Sequence, residues 1–308
     1  MYLRGWGYLV KMQESLDEAA AAILANPAYS RAVAVHIDAM IDAYSDQPRL
    51  NKYMSDAKRW LVSALALHLH ITRDAGKVDD GLTMKRLQAL CAHVKHASPK
   101  MVRDYIKALL AEGFLREVKI RGDRRFKRME PTERMIAEAR SHATCNLKPV
   151  DALSPEIEAT RWLENDPEFV FALRRAMARY FFASGNPITQ APEIGFFIEK
   201  DSGYMILLTL LQAARTGNEF PVAAVVSLPF QRLARRYGVS RVHVGKIFKG
   251  AQERALVELL ADGGKSIRPT ELLLDAFRDW IATQFHIYST FAQAAILERR
   301  NAICMAPS

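Results

Sequence analysis

The sequence predicts a mainly α-helical chain with small β hairpins, built as one unit repeated in tandem. Three observations predict it. Apolar residues recur at helical spacing over most of the 308 residues. A helix-turn-helix pattern at 233–247 has a second copy 142 residues upstream. Each copy is followed by a short alternating stretch that reverses on Gly and Asp and ends in Pro-Thr-Glu.

The downstream copy is the clearer. Leu233, Tyr237, Val239, Val244 and Ile247 are the apolar positions that two crossed helices bury against each other. Ala234 is small where the helices approach, and Gly238 supplies a left-handed turn residue that a side chain would resist. Ser240 is placed to cap the second helix by accepting from its free backbone N–H groups. Ser240, Arg241, Val242, Gly245, Lys246 and Lys249 are left facing outward, a mostly polar and basic face. A face of that kind enters the DNA major groove in this motif.

In the upstream copy, Ala97-Ser98-Pro99-Lys100-Met101-Val102 lies under Val239-Ser240-Arg241-Val242-His243-Val244. The alignment continues without a gap to Gly113-Phe114-Leu115 against Ala255-Leu256-Val257. Cys91 and Ala92 stand where Leu233 and Ala234 do, but Lys95 and His96 replace Tyr237 and Gly238. The chain from Thr83 to Ser98 is also two residues longer than from Ser227 to Ser240, which predicts a longer first helix or a distorted turn.

Next, Leu115-Arg116-Glu117-Val118-Lys119-Ile120 alternates in strand fashion, and Gly122-Asp123 makes a tight reversal. Arg124 to Met129 returns, and Pro131-Thr132-Glu133 opens a helix with a cap and an acidic first turn. Helix, helix, two-stranded wing, helix is the order of a winged helix. The run from Ala97 through Thr132 resembles the MarR family of bacterial regulators. The likeness rests on the Glu112-Gly113-Phe114-Leu115 step after the second helix and on Asp123-Arg124-Arg125 in the wing. The downstream copy keeps the scheme with a shorter wing, Leu259 to Ile267, turning on Asp262-Gly263-Gly264, but it lacks the Asp-Arg-Arg. The resemblance implies two tandem winged-helix (MarR-like) domains with flanking helices.

Charge follows the repeat. The chain carries +9. Residues 83–128 hold 13 Lys/Arg against 4 Asp/Glu, and residues 231–268 hold 9 against 3. The remaining residues hold 21 against 27 and are net acidic. Positive charge gathered on two motifs suits a polyanion, whose phosphates Lys and Arg neutralise with release of counterions. The candidate DNA contacts are Ser98, Lys100, Arg103, Lys107, Arg121, Arg124, Arg125 and Lys127 in the first unit. In the second they are Ser240, Arg241, His243, Lys246, Lys249, Lys265 and Arg268.

The repeat extends outside the motifs. Asn26-Pro27 begins a long helical pattern, and Asp166-Pro167 begins another 140 residues later. Each leads through a polar loop to an apolar helix, Trp60 to Leu69 and Tyr204 to Ala213. Pro221 to Val226 is expected to pair with the second wing as a short strand, and Gly76 to Leu82 to do so more weakly in the first half. Ser141 to Pro155 lacks periodicity and contains Pro149 and Pro155, so it reads as a linker. The expected domains are 1–148, with N-terminal helices, and 149–308, with C-terminal helices. Residues 272–300 form a long apolar helical region through Leu273, Leu274, Phe277, Trp280, Ile281 and Phe285. Such a region favours pairing of two chains into a homodimer.

The chain lacks 18 uninterrupted apolar residues, and no apolar core with a cleavage site follows Met1, so neither membrane insertion nor export is expected. Three scattered cysteines fit a reducing cytoplasm. Cys91, His93 and His96, with His68 and His70 beyond them, do not share one helical face and read as a buried Cys beside solvent-facing His. No phosphate-binding Gly loop, nucleophile–His pairing or paired-carboxylate motif is present, so neither an enzyme nor a cofactor is expected. Phe169, Phe171, Phe181, Phe196 and Phe197 fit a helical core better than a pocket for an unidentified small-molecule effector. The expected function is sequence-specific binding of double-stranded DNA, in transcriptional regulation. The alternatives are a replication initiator, since plasmid initiators also carry two winged helices per chain, and a protein-interaction module. The last predicts neutral or acidic recognition faces, contrary to the charge distribution.

Overall fold

The computed structural model describes residues 16–47, 51, 56–74, 76–77, 80–94, 97–119, 127–184 and 191–305. The chain is mainly helical, with two small two-stranded antiparallel sheets. In the first half α1 covers residues 16–24. It is followed by α2 (Tyr29–Tyr44), α3 (Ala57–Ile71), α4 (Met84–His93), α5 (Pro99–Ala111), β1 (Leu115–Lys119), β2 (Lys127–Pro131) and α6 (Glu133–Leu153). The second half holds α7 (Ala159–Asn165), α8 (Phe169–Ser184), α9 (Pro192–Ile198), α10 (Gly203–Ala213), α11 (Phe230–Tyr237) and α12 (Arg241–Gln252). It ends with β3 (Val257–Ala261), β4 (Ser266–Pro269) and α13 (Glu271–Met305). No helix among the described residues is long and apolar enough to cross a membrane.

Local chemistry explains the starts of these helices. Thr83 caps α4 by accepting from the Arg86 amide at 3.3 Å, and Asp56 caps α3 by accepting from the Arg59 amide at 2.9 Å. Asn26 accepts from the Ala28 amide ahead of α2, and Asp166 accepts from the Glu168 amide ahead of α8, at 2.8 and 2.9 Å. These matched turns put the Asn-Pro and Asp-Pro steps in the same role.

The halves pack reciprocally. α2 lies on α6 within the first half, and α8 lies on α13 within the second. Across the halves, α2 also packs on α10 and α8 on α3, while α6 meets α13. Each surface thus meets its counterpart's partner, the arrangement of an isologous twofold contact within one chain. Arg215 pairs with Asp38, Arg59 donates to Asp201 at 3.0 Å, and Tyr29 donates to the Arg278 carbonyl at 2.8 Å across the junction. One continuous apolar core joins the halves.

Two expectations are corrected. The segment 141–155 is not a linker: α6 runs through it to Leu153, and the boundary at 148 falls inside that helix. Pro149 removes the amide that would bond the Cys145 carbonyl four residues back, but packing of α6 on α2 holds the helix together, with Cys145, Asn146, Leu147, Pro149 and Val150 buried. Pro221 to Val226 is not a strand. Only Val226 bridges Ile267, with reciprocal bonds of 2.8 and 2.9 Å. In the first half, the one corresponding bond runs from the Met129 amide to the Leu82 carbonyl at 2.9 Å among the described residues. Of the long apolar region 272–300, Leu273, Phe277, Ile281 and Phe285 are buried within this chain, while Leu272 and Leu297 are exposed.

Candidate nucleic-acid interface

α11 and α12 meet as the spacing predicts. Leu233, Ala234, Tyr237, Val244 and Ile247 are buried, and Phe230 stacks on Phe248 with ring centroids 5.2 Å apart. Gly238 ends α11 in the left-handed region at φ 69°, and the Ser240 hydroxyl accepts from the His243 amide at 3.0 Å. Arg241, Val242, Lys246 and Lys249 are exposed on α12. The Arg241 guanidinium lies close beside Gly263 in the β3–β4 turn, which sets the helix start and the hairpin tip next to each other. Gly245, expected on the outward face, lies against the Phe230 ring, and the ring of the candidate contact His243 is held to the Asp201 carbonyl by its Nε2 at 2.9 Å. His243 therefore packs back onto the chain.

The first unit repeats the geometry. α4 has ten residues against eight in α11, the longer first helix that its extra residues predict. Ser98 accepts from the Met101 amide at 3.2 Å, and Pro99 occupies the first helical position, where its missing N–H costs nothing. Val102, Tyr105, Ile106 and Leu109 are buried, like their counterparts Val244, Ile247, Phe248 and Ala251. Lys100, Arg103 and Lys107 are exposed, with Asp104 beside them. Lys95 and His96 lie outside the described residues.

The exit from each second helix is also duplicated. Gly113 and Ala255 both take positive φ, 76° and 57°. The Phe114 amide bonds the Leu109 carbonyl, and the Leu256 amide bonds the Ala251 carbonyl, both at 2.9 Å. The Thr132 hydroxyl donates to the Gly113 and Phe114 carbonyls at 2.7 and 3.1 Å. The Thr270 hydroxyl donates to the Ala255 and Leu256 carbonyls at 2.7 and 3.0 Å. Each Thr thereby ties the helix exit to the far end of the hairpin, and pairing of Leu115 with Pro131 matches that of Val257 with Pro269.

The hairpins carry the other candidates. Arg121, Arg124 and Arg125 lie outside the described residues. Lys127 is exposed and faces Glu117 on the paired strand at 3.4 Å. Lys265 is exposed, whereas Arg268 pairs with Glu258 at 2.9 Å. These exposed cross-strand pairs leave both cations in reach of solvent, and such pairs are weak. Arg116, which the sequence reading passed over, is also largely exposed and pairs with Glu130 at 3.1 Å. Its place on β1 of a basic segment is the signal that marks it.

No group of three potential metal ligands occurs among the described residues. Cys91, on α4, is fully buried, and burial pushes its thiol up to about 11. It is a core residue. No protein-family model, curated protein or solved structure matches the chain.

Proposed function

We propose that the chain binds double-stranded DNA sequence-specifically through two tandem winged helices, MarR-like in their order of elements, and acts as a transcriptional regulator. One observation carries this reading. Two Ser-capped helices, α5 and α12, occupy equivalent places in a duplicated unit, and each exposes a basic face within a segment of concentrated positive charge. A capped helix start with cations behind it is suited to phosphate and groove contact. Lys100, Lys107, Lys246 and Lys249 would hold phosphates, while Arg103 and Arg241 have the forked guanidinium that reads guanine O6 and N7 together.

Selection of bound sites from random duplex DNA, followed by salt titration, tests the reading. A defined site is expected, with affinity falling steeply with salt. Lys100→Ala with Lys107→Ala should lower the salt slope by roughly 2 units on every sequence. Arg241→Ala should relax preference at one base pair, at about 1–3 kcal/mol. If no site is enriched and duplex DNA is not held even at low salt, the proposal fails.

A further inference from the structure

The two Ser-capped helices carry opposite chemistry at one position. The gap-free alignment of the repeat sets Val242, the second residue of α12, on Lys100, the second residue of α5. Both side chains are exposed, and Val242 is 67 % exposed. One turn further on, Gly245 of α12 stands where α5 has Arg103. Two cations on one helix are thus replaced by a valine and a glycine on the other. The four-carbon stem of Lys100 can carry its charge back to a phosphate. Val242 has no such reach, and branching at Cβ holds its two methyls in one strongly preferred orientation on a helix.

Packing within the chain accounts for neither residue. Val242 lies outside the apolar core. A Cβ at Gly245 would stand 3.8 Å from the Phe230 ring, an ordinary contact, so alanine would fit there. Glycine nevertheless weakens a helix interior relative to alanine. An exposed apolar side chain with a missing side chain one turn away suits a close approach from outside. Lys246 and Lys249 follow Val242 and Gly245 on the same stripe of the helix, and both are exposed. Arg241 precedes them, beside the hairpin turn at Gly263. The apolar spot is small and set among cations, which matches a polyanion that displays single apolar groups. It does not match the broad apolar centre of a protein interface.

In the major groove of DNA the apolar group on the base edges is the C5-methyl of thymine, and apolar side chains read it by contact. We infer that Val242 sets its methyls against the C5-methyl of a thymine, while Gly245 leaves room for the base edge to approach the helix. The inference rests on the reading of α12 as a recognition helix. Lys100 cannot make the same contact, so this thymine belongs to the half-site under α12 and has no counterpart under α5.

The test starts from the selected duplex and replaces each thymine in turn by deoxyuridine, which removes the methyl and nothing else. The half-site under α12 is the one whose preference Arg241→Ala relaxes. One thymine there is expected to be sensitive, with deoxyuridine weakening the full chain about fourfold, the worth of one buried methyl. With cytosine paired to guanine at that place, 5-methylcytosine should bind more tightly than cytosine by a similar factor. Val242→Ser changes an exposed side chain, so it should fold, keep the salt slope and be indifferent to both methyl changes. Gly245→Ala should keep Tm and weaken the selected site several-fold. If no duplex is selected, the inference falls together with the DNA reading. If a site is selected but no thymine in it is sensitive to deoxyuridine, or the sensitivity persists in Val242→Ser, this inference alone is overturned. Equal weakening of every sequence by Val242→Ser would also overturn it.

Discussion

His36 and His142 are buried imidazoles at the junction of the halves, and burial moves both far from the ordinary range. The His36 ring is lowered to about 4, with the Cys145 carbonyl opposing the shift; His142 is lowered to about 3, with Arg174 adding to the effect of burial. Both are neutral when folded, and each has a phenol partner: His36 meets Tyr204 at 2.7 Å and His142 meets Tyr44 at 3.2 Å. An unfolded histidine takes up its proton near pH ~6.5. As pH falls below that value, the unfolded chain binds protons that the folded chain does not. Stability from these groups is therefore full above pH ~6.5 and falls steadily as pH drops towards 4 and then 3. His36→Gln, which retains a group able to bond Tyr204, should lessen the acid-side loss by on the order of 1.4 kcal/mol per pH unit. Urea melts between pH about 6 and about 4.5 check this, and parallel slopes for the two proteins would exclude it.

The junction between each second helix and its hairpin is an element made twice with different residues. Gly113 and Ala255 hold the same left-handed backbone and the same Thr-to-carbonyl bonds, yet only one is glycine. A Cβ at Gly113 would have no atom within 4 Å, so a side chain there meets only the backbone preference. That preference is about 1–2 kcal/mol for a residue with a Cβ. Gly113→Ala is expected to destabilise the protein by about 1 kcal/mol, and Ala255→Gly to stabilise it by a similar amount. Thermal unfolding of both variants gives the signs. Shifts in the same direction would mean that packing, not φ, governs this junction.

For the whole molecule, the reciprocal packing of α2 on α10 and α8 on α3 makes each half part of the other's support. The twofold arrangement that two chains would form is built here within one. The two reading faces also differ: Pro99, Lys100, Arg103 and Asp104 align with Arg241, Val242, Gly245 and Lys246. With Leu273, Phe277, Ile281 and Phe285 of α13 buried within the chain, a single chain on a site with two unlike halves follows from the proposed function. Light scattering of the free protein combined with a footprint should return a monomer and an asymmetric site. A stable dimer protecting a palindrome would show that a second copy docks through another surface.

Much of the two units is legible in the sequence because it is settled within a few residues. The Ser98 and Ser240 caps, the Gly238 turn, the alternate burial along α5 and α12 and the Thr132 and Thr270 hairpin ends all arise from neighbours in the chain. Their signals survive without knowledge of the rest. Other features depend on contacts between distant segments. Pro149 reads as a break, yet α2 packs along α6 and keeps the helix whole. Leu273, Phe277, Ile281 and Phe285 of α13 read as surface for another chain, but α6 and α8 pack on that helix and these residues are buried. His243 reads as a candidate DNA contact, and that Asp201, 42 residues away in the chain, supplies an acceptor for its ring has no sign in the sequence. Arg174 reads as one more cation on a helix, and its burial has no local sign. The sequence by itself determined the repeated units and where their charge lies, because caps, turns and periodicity are short-range effects. Only the tertiary structure decided how the halves interlock and what their junction encloses, because burial is a property of two surfaces and a sequence displays them one at a time.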